Sequence, residues 1–309
     1  MPINLASSPL TKLYLGNTEI LKAYLGTIQV FPNFLLLDLY PSTAAFSLRK
    51  LRTAYSGSAV RVRRSSDNEE QNIGFNVNGG LDTTALNTFC TGANGFVTTW
   101  YNQQGSNNAT QTTQANQPKI YDSVTGLVLE IDKPAVNFGF GGTYMYLDLT
   151  LTLGQTVSFF SVNEDATQDA TSSLHKPILG SSTNNIFITN PQGYSLTKRR
   201  EGTNGTNLCV PSNGSGSILI AYTKTGLQEL LTATCNNGSA VLFKNGSQIG
   251  TLSEPAGSST NTAYRIGAGD NTLARFYTGN IQELIIYNTD QSSNRTAIET
   301  NINTYYKIY

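Results

Sequence analysis

Histidine is almost absent from this chain. His175 is the single example, and it sits in Ser173-Leu174-His175-Lys176-Pro177, a loop-like setting. Histidine-based catalysis or metal ligation therefore has almost no material. Cysteine is scarce as well. Cys90, Cys209 and Cys235 are odd in number, widely spaced and without a Cys-x-x-Cys pair. They read as reduced residues, some of them core, and not as a disulfide framework or a zinc site. Charge is thin: Asp, Glu, Lys and Arg make up 13% of the chain, and 20 basic side chains cancel 20 acidic ones. With no basic stripe, a nucleic-acid partner held through phosphates is not expected. No run of about 18 apolar residues occurs, so no membrane span is expected. Met1-Pro2-Ile3-Asn4-Leu5 lacks the basic start and apolar stretch of a signal peptide. Work outside the cell would then call for another route, such as release by lysis inside an assembled particle.

What is abundant is Asn, Thr, Ser, Gly and Gln, with Tyr, Phe, Leu, Ile and Val spread throughout. That balance excludes a disordered chain and suits strands joined by polar turns. The first thirty residues carry a tandem decapeptide repeat. Lys12-Leu13-Tyr14-Leu15-Gly16-Asn17-Thr18-Glu19-Ile20-Leu21 is followed by Lys22-Ala23-Tyr24-Leu25-Gly26-Thr27-Ile28-Gln29-Val30-Phe31. Each decad reads as two short strands around a glycine turn. Such hairpins bury too little apolar surface to stand alone. Residues 1–33 are therefore expected to form an attachment or oligomerisation segment. Its contact side chains would be Tyr14, Leu15, Ile20, Tyr24, Leu25, Ile28 and Val30. The other reading is that they extend a sheet of the main domain.

Residues 34–309 read as one all-β domain with a few short helices. Leu48, Leu51 and Tyr55 have helical spacing, which predicts a short helix ended by Gly57. Ala59-Val60-Arg61-Val62-Arg63-Arg64 alternates as a strand with arginines on one face. Asp82 is the expected cap of a second helix through Leu86, Phe89 and Cys90. Gly95 to Tyr101 is a strand carrying Trp100, the only tryptophan. Further strands are predicted at 156–162, 186–188, 217–222 and 276–287. Asn245-Gly246 marks a hairpin. Ser292 or Ser293 caps a closing helix with Ile298, Ile302 and Tyr305 on one side. Trp100, Phe159, Ile218, Leu284 and Ile286 are the expected core.

Two stretches carry a resemblance. The first runs from Ser47-Leu48-Arg49-Lys50-Leu51-Arg52 through Val60-Arg61-Val62-Arg63-Arg64 and Leu81-Asp82-Thr83-Thr84-Ala85-Leu86 to Gly95-Phe96-Val97-Thr98-Thr99-Trp100-Tyr101-Asn102-Gln103-Gln104-Gly105. It resembles the first part of the arabinofuranosidase B catalytic domain, a concanavalin-A-like jelly roll. The second, from Lys133-Pro134-Ala135-Val136-Asn137-Phe138 to the 276–287 strand, resembles laminin-G-like domains. The opening repeat resembles the N-termini of bacteriophage virion proteins. The resemblance implies a concanavalin-A-like jelly-roll β-sandwich behind an N-terminal β-hairpin appendage.

Function is weighed between classes. A retaining glycosidase needs two carboxyl groups about 5–5.5 Å apart. Glu164, Asp165, Glu229, Glu254, Asp270 and Glu283 are candidate acids, none in a motif the chemistry demands. The family's Tyr-Asp-Gln-Ser-Gly segment reads Tyr101-Asn102-Gln103-Gln104-Gly105 here, with an uncharged Asn102, and the Cys-Cys neighbour pair of the fungal enzymes is missing. No Gly-x-Ser-x-Gly elbow, phosphate loop or His-Glu-x-x-His occurs. Catalytic residues are therefore not assigned and no enzyme activity is expected. Glycan contacts fall to Tyr144, Tyr146 and Tyr194. No cofactor is expected. Calcium has one candidate loop at Asp270-Asn271, which also reads as a plain turn. The Asn-x-Ser/Thr triplets, such as Asn204-Gly205-Thr206, read as turns. The expectation is a non-enzymatic bacteriophage virion protein, a tail, fibre or capsid decoration at the virion surface. It would be homo-oligomeric, joined to other virion proteins, and would bind host-surface glycans. The alternatives are a glycoside hydrolase related to arabinofuranosidase and a cellular carbohydrate-binding module.

Overall fold

A computed structural model describes residues 34–139, 144–164, 176–182, 193–198, 226–253, 255, 257, 259–269 and 275–309 with side chains. It describes the backbone alone of short strands within 1–33, of 175 and 199, and of 205–209 and 217–221. Every strand pair among these residues is antiparallel, and helices are few. One layer orders the strands 44–47, 280–287, 156–164, 228–236, 239–244 and 247–253. The other orders 147–150, 263–266, 175–181, 195–199, 205–209 and 217–221. Strand 95–100 pairs with 60–64, 109–110 and 119–122, and so links the two. The expected all-β sandwich is what the chain forms.

Alternation along the strands builds the core. On strand 156–164, Val157 and Phe159 join the cluster between the layers, with Trp100, Leu231, Tyr264, Leu284 and Ile286. Phe160 and Val162 point the other way, into a second cluster with Ile285 and Tyr287. That outer face is closed by helix α1, Leu36–Leu39, and helix α3, Arg295–Tyr306, through Leu36, Leu37, Ile298, Ile302 and Tyr306. Strands 156–164 and 280–287 are thus buried on both faces.

Helix α2 spans Thr83–Cys90, and the Asp82 carboxylate accepts from the Ala85 amide at 2.9 Å, the predicted cap. The Asn245-Gly246 turn joins strands 239–244 and 247–253, with φ of 50° and 78° at its two residues. Trp100, Phe159, Leu284 and Ile286 are buried. Ile218 and the 186–188 segment lie outside the residues whose side chains are described, as does Cys209. Cys90 and Cys235 are buried free thiols.

Two local expectations are corrected. The stretch around Leu48, Leu51 and Tyr55 is not a helix. Ala44–Ser47 pairs with Glu283–Ile286 as a fully buried strand. Leu48 then enters the main core and Leu51 the α3 cluster, so their helical spacing comes from a chain that crosses between two cores. At α3 the cap position is Asn294, without a side-chain cap bond, while the Ser292 hydroxyl donates to Asp290 at 2.5 Å. Tyr306, and not Tyr305, is the fully buried tyrosine of that helix. In the opening segment, backbone strands Leu13–Leu15 with Thr18–Ile20, and Ala23–Leu25 with Ile28–Phe31, form separate two-stranded sheets. Their seven expected contact side chains lie outside the described residues.

Candidate active site

The antiparallel register gathers ionisable groups at one end of the sandwich. Strand 156–164 ends there in Asn163 and Glu164, opposite Glu229 and Gln228 at the start of strand 228–236. Strand 280–287 begins there, with Asn163 opposite Ile281. Lys176 and Lys198 stand opposite each other on strands 175–181 and 195–199. Because side chains alternate, Glu229 shares the inner face with Leu231, whereas Glu164 and Gln228 take the opposite face.

The inner half is an ion cluster. Lys198 bonds Glu229, and the Lys244 ammonium lies 3.3 Å from the second oxygen of the same carboxylate. Lys176 donates to the Thr278 hydroxyl at 2.5 Å. Lys176 and Lys198 are each 1% exposed, which is rare for lysine and demands matched partners. Burial lowers the Lys244 pKa.

The other half holds Glu130, on the small hairpin 129–134, and the buried Glu164. Asn280 Nδ2 donates to Glu130 Oε2 at 3.1 Å, and Asn137 Nδ2 donates to Asn280 Oδ1 at 2.9 Å. Gln282 Nε2 lies 3.2 Å from each of the carbonyl oxygens of Glu130, Lys133 and Pro134. Gln228 donates to Gln282, and the Tyr277 hydroxyl to the Glu164 carbonyl. Burial pushes the Glu130 carboxyl above the usual glutamate range, and its bonds to Asn280 and Glu164 pull it partly back.

The candidates singled out from sequence divide sharply. Glu164 and Glu229 reach this end of the fold. Glu283 is also buried, but as a structural ion pair: Arg49 Nε and Nη2 grip its two oxygens at 2.8 and 2.9 Å, and the Ser47 hydroxyl donates at 2.7 Å. Asp165, Glu254 and Asp270 lie outside the described residues. Tyr194 is 1% exposed, its ring edge-on to Phe159 and its hydroxyl donating to the Gly154 carbonyl at 2.9 Å. It is a core residue and offers a sugar no face. Tyr146 is buried beneath the Arg265 guanidinium at 4.7 Å, whereas Tyr144 is half exposed and packs edge-on to Phe276. Close to Arg265, whose guanidinium bonds Asp148, lies a polar cleft of about 250 Å³ lined by Asn107, Thr110, Asp148, Thr150 and Ser182. Among the described residues, no three His, Cys, Asp or Glu side chains come together as a metal would require.

Asn102 requires a new reading. Its Oδ1 accepts from the Ala45 amide at 2.9 Å and from the Gln104 amide at 3.0 Å, in a buried setting. Gln103 beside it accepts from the Leu51 amide and donates to the Ser47 and Arg49 carbonyls. The position staples backbone. An amide oxygen accepts those two bonds as a carboxylate oxygen does, so an uncharged residue there removes no chemistry. Sequence reasoning also missed Glu130, Lys176 and Lys198. A signal existed for Lys198: it continues the alternation of buried Tyr194 and Leu196, which places it on the inner face.

Residues 38–129 match the family model described as α-L-arabinofuranosidase B, catalytic. No curated protein matches the chain. Among solved structures, the chain is similar to a GH54 α-L-arabinofuranosidase soaked with 4-nitrophenyl α-L-arabinofuranoside, at 16% identity and a TM-score of 0.66, covering 87% of this chain and 65% of that one. A GH54 α-L-arabinofuranosidase soaked with a cyclic sulfate inhibitor gives 18% identity and a TM-score of 0.64 at the same coverage. An arabinofuranosidase complexed with arabinofuranosyl-α-1,2-xylobiose gives 16% identity and a TM-score of 0.62, over 87% of this chain and 64% of its own. The chain thus spans about 65% of the length of the proteins it resembles. The family match of residues 38–129 overturns the expectation of a non-enzymatic bacteriophage virion protein and favours the alternative; no match supports a phage origin.

Proposed function

We propose that this chain is a glycoside hydrolase of the arabinofuranosidase kind, which releases terminal α-L-arabinofuranosyl groups from their aglycones. The match of residues 38–129 to an arabinofuranosidase catalytic model carries this reading. The sandwich architecture supports it, because its likeness to arabinofuranosidases extends over 87% of the chain. The chemistry needs carboxyl groups in two protonation states, one to give a proton and one to stabilise or attack the developing oxocarbenium ion. The polar end of the sandwich supplies carboxyls in two different settings: Glu229 between two ammonium groups, and Glu130 half-buried beside the Asn280 amide. The test is release of 4-nitrophenol from 4-nitrophenyl α-L-arabinofuranoside by the purified chain, beside a panel of other pentosides and hexosides. Turnover confined to the arabinofuranoside is expected. No turnover on any of them refutes the proposal.

We further infer that residues 1–33 are an attachment segment that packs against another polypeptide. Two adjacent hairpins, each its own two-stranded sheet, leave strand edges that need a partner. Deleting residues 1–33 should leave the 34–309 sandwich with its thermal midpoint unchanged while lowering the sedimentation mass of any assembly. An unfolded truncation would place the hairpins in the core instead.

A further inference from the structure

We propose that the polar cleft beside Arg265 is a carbohydrate-binding subsite, which takes one ring of a neutral polysaccharide and holds the chain on the outer face of the second layer. The assignment concerns binding and not turnover, so it stands or falls apart from the hydrolase reading.

Two cross-strand rows build the cleft. Along strand 147–150, Leu147 and Leu149 enter the core while Asp148 and Thr150 lie outside. Strand 263–266 alternates likewise, so Ala263 and Arg265 take the outer face. Register then sets Thr110, Asp148 and Arg265 side by side in one row, and Thr150 beside Ala263 in the next. The Ser182 amide donates to the Ala263 carbonyl at 2.9 Å and extends the second row. Ala263 carries only a methyl between Thr150 and Ser182, so the row dips there. The rows are two residues apart along the strands, about 7 Å. The cleft they border holds about 250 Å³. Sites for drug-sized ligands run to roughly 300–1,000 Å³, so this one suits a single ring with its substituents.

Three lining side chains are anchored through one atom and present the other. Asn107 Nδ2 donates to the Thr150 carbonyl at 3.0 Å, which leaves Oδ1 as an acceptor. Asn108 Oδ1 accepts from the Asn102 amide at 3.0 Å, which leaves Nδ2 as a donor. Asp148 Oδ1 accepts from Arg265 Nε at 2.9 Å, which leaves Oδ2 as an acceptor. Neither asparagine can turn its amide over without losing its anchor. Among the described residues, the Thr110, Thr150 and Ser182 hydroxyls have no partner within the chain, and a hydroxyl can give or accept. Arg265 is itself held over the Tyr146 ring at 4.7 Å. Tyr146 packs with Phe276, on which the half-exposed Tyr144 lies edge-on. The wall of the cleft thus continues into an exposed aromatic ring.

This set selects its ligand. Arg265 balances the Asp148 charge, so the pair attracts neither anion nor cation strongly. Among the described residues, no three metal-ligating side chains gather. An apolar ligand would strand the polar lining. A sugar has hydroxyl edges that both give and accept, and C–H faces that pack on an aromatic ring. The cleft is also remote from the ion cluster. Ser182 follows Lys176 by six residues along the course of strand 175–181, roughly 20 Å at about 3.3 Å per residue. A ring held here anchors a long chain and leaves that end open.

Affinity electrophoresis of the full chain tests this, in native gels cast with arabinoxylan, galactomannan or polygalacturonate. Wild type is compared with Asp148→Asn, which keeps Oδ1 for Arg265 and turns the presented acceptor into a donor. The second variant is the double change Thr110→Ala with Ser182→Ala, which deletes two hydroxyls. Wild type should be retarded by a neutral polysaccharide and not by the acidic polygalacturonate. Asp148→Asn should weaken the dissociation constant about tenfold or more, since bonds to a charged group are the strong ones. The double variant should weaken it about fivefold or more. Equal thermal midpoints for the three proteins exclude a folding defect. Wild type that neither neutral polysaccharide retards overturns the site. So does retardation that both variants retain within twofold, which places the binding elsewhere. Retardation by polygalacturonate alone overturns the neutral ligand. Release of 4-nitrophenol is read separately and bears on the hydrolase reading alone.

Discussion

The Arg49–Glu283 pair makes a sharp energetic prediction. Both side chains are nearly inaccessible, at 9% and 1% exposure. Glu283 receives three donors within 3 Å, two from Arg49 and one from Ser47. Arg49 also donates to Asn301 on α3 at 2.9 Å and lies 5.1 Å from the centre of the Tyr305 ring. Burial alone would lower the Arg49 pKa, but Glu283 outweighs it and the net direction is up. Removing one partner strands a buried charge, at a cost of about 3–5 kcal/mol, whereas replacing both by apolar side chains is roughly neutral. Glu283→Ala should therefore lower the thermal midpoint by roughly 6–10 °C, at about 2 °C per kcal/mol for a domain of this size. The double change Arg49→Met with Glu283→Leu should recover most of that loss. The assay is thermal and urea unfolding of the three proteins followed by circular dichroism. If Glu283→Ala lies within about 1 °C of wild type, the pair does not clamp α3 to the sheet. A double variant less stable than the single would equally defeat the stranded-charge argument. Activity per folded molecule should be unchanged by either, since Glu283 is a structural residue.

Other outcomes follow from single sites. Gly246→Ala puts a Cβ at φ of 78°, 3.2 Å from the Tyr309 hydroxyl, and should cost roughly 1–2 kcal/mol in urea unfolding. Asp82→Ala removes the α2 cap and should cost about 1 kcal/mol by the same measurement. In a Cys209→Ser background, Cys90, its thiol pushed up to about 11 by burial, and the still more buried Cys235 should resist a thiol reagent at pH 8 until denaturant is added. Rapid labelling of the native protein would contradict their burial. Glu299 has its pKa raised by burial, with Arg295 opposing. Native protein then holds more protons than unfolded chain just above the ordinary glutamate range. The Glu299 contribution is full below that range and fades as pH rises through the native pKa. Glu299→Gln should flatten the pH dependence of stability there.

The architecture was legible where one physical signal dominates. Alternation marks strand 60–64, the Asn245-Gly246 pair its hairpin and Asp82 helix α2, and the strands expected at 95–101 and 156–162 are found at 95–100 and 156–164. It failed at 48–55, where helical spacing arose because Leu48 and Leu51 serve two different cores. A one-dimensional period cannot distinguish one amphipathic face from a chain that crosses between layers. The site was less legible. Glu164 and Glu229 stood out only as charges, and Glu130 did not stand out, because the Asn280 amide that meets it lies 150 positions away in the chain and is brought to it by the sheet.

At Asn102, reading loss of a carboxylate as loss of catalysis follows only if the carboxylate is there for its charge. In this fold the position is there for its acceptor oxygen, which meets the Ala45 and Gln104 amides and, with Gln103, anchors the strand that carries Ser47. Ser47 in turn donates to Glu283, so the motif sits upstream of the clamp on α3. Charge is rare in this chain, and a few of its charges stand in pairs with at least one buried partner: Arg49 with Glu283, Lys198 with Glu229, Arg295 with Glu299. Buried ion pairs add little net stability over apolar packing. The Arg49–Glu283 pair ties α3 to the sheet through the Arg49–Asn301 bond, whereas Arg295–Glu299 lies within α3, where Arg295 also stacks on the Phe243 ring. The Glu229 cluster closes no helix. It stands on the inner face at the strand ends, with Glu164 on the opposite face of the same sheet, which is where the hydrolysis proposed above would need charge.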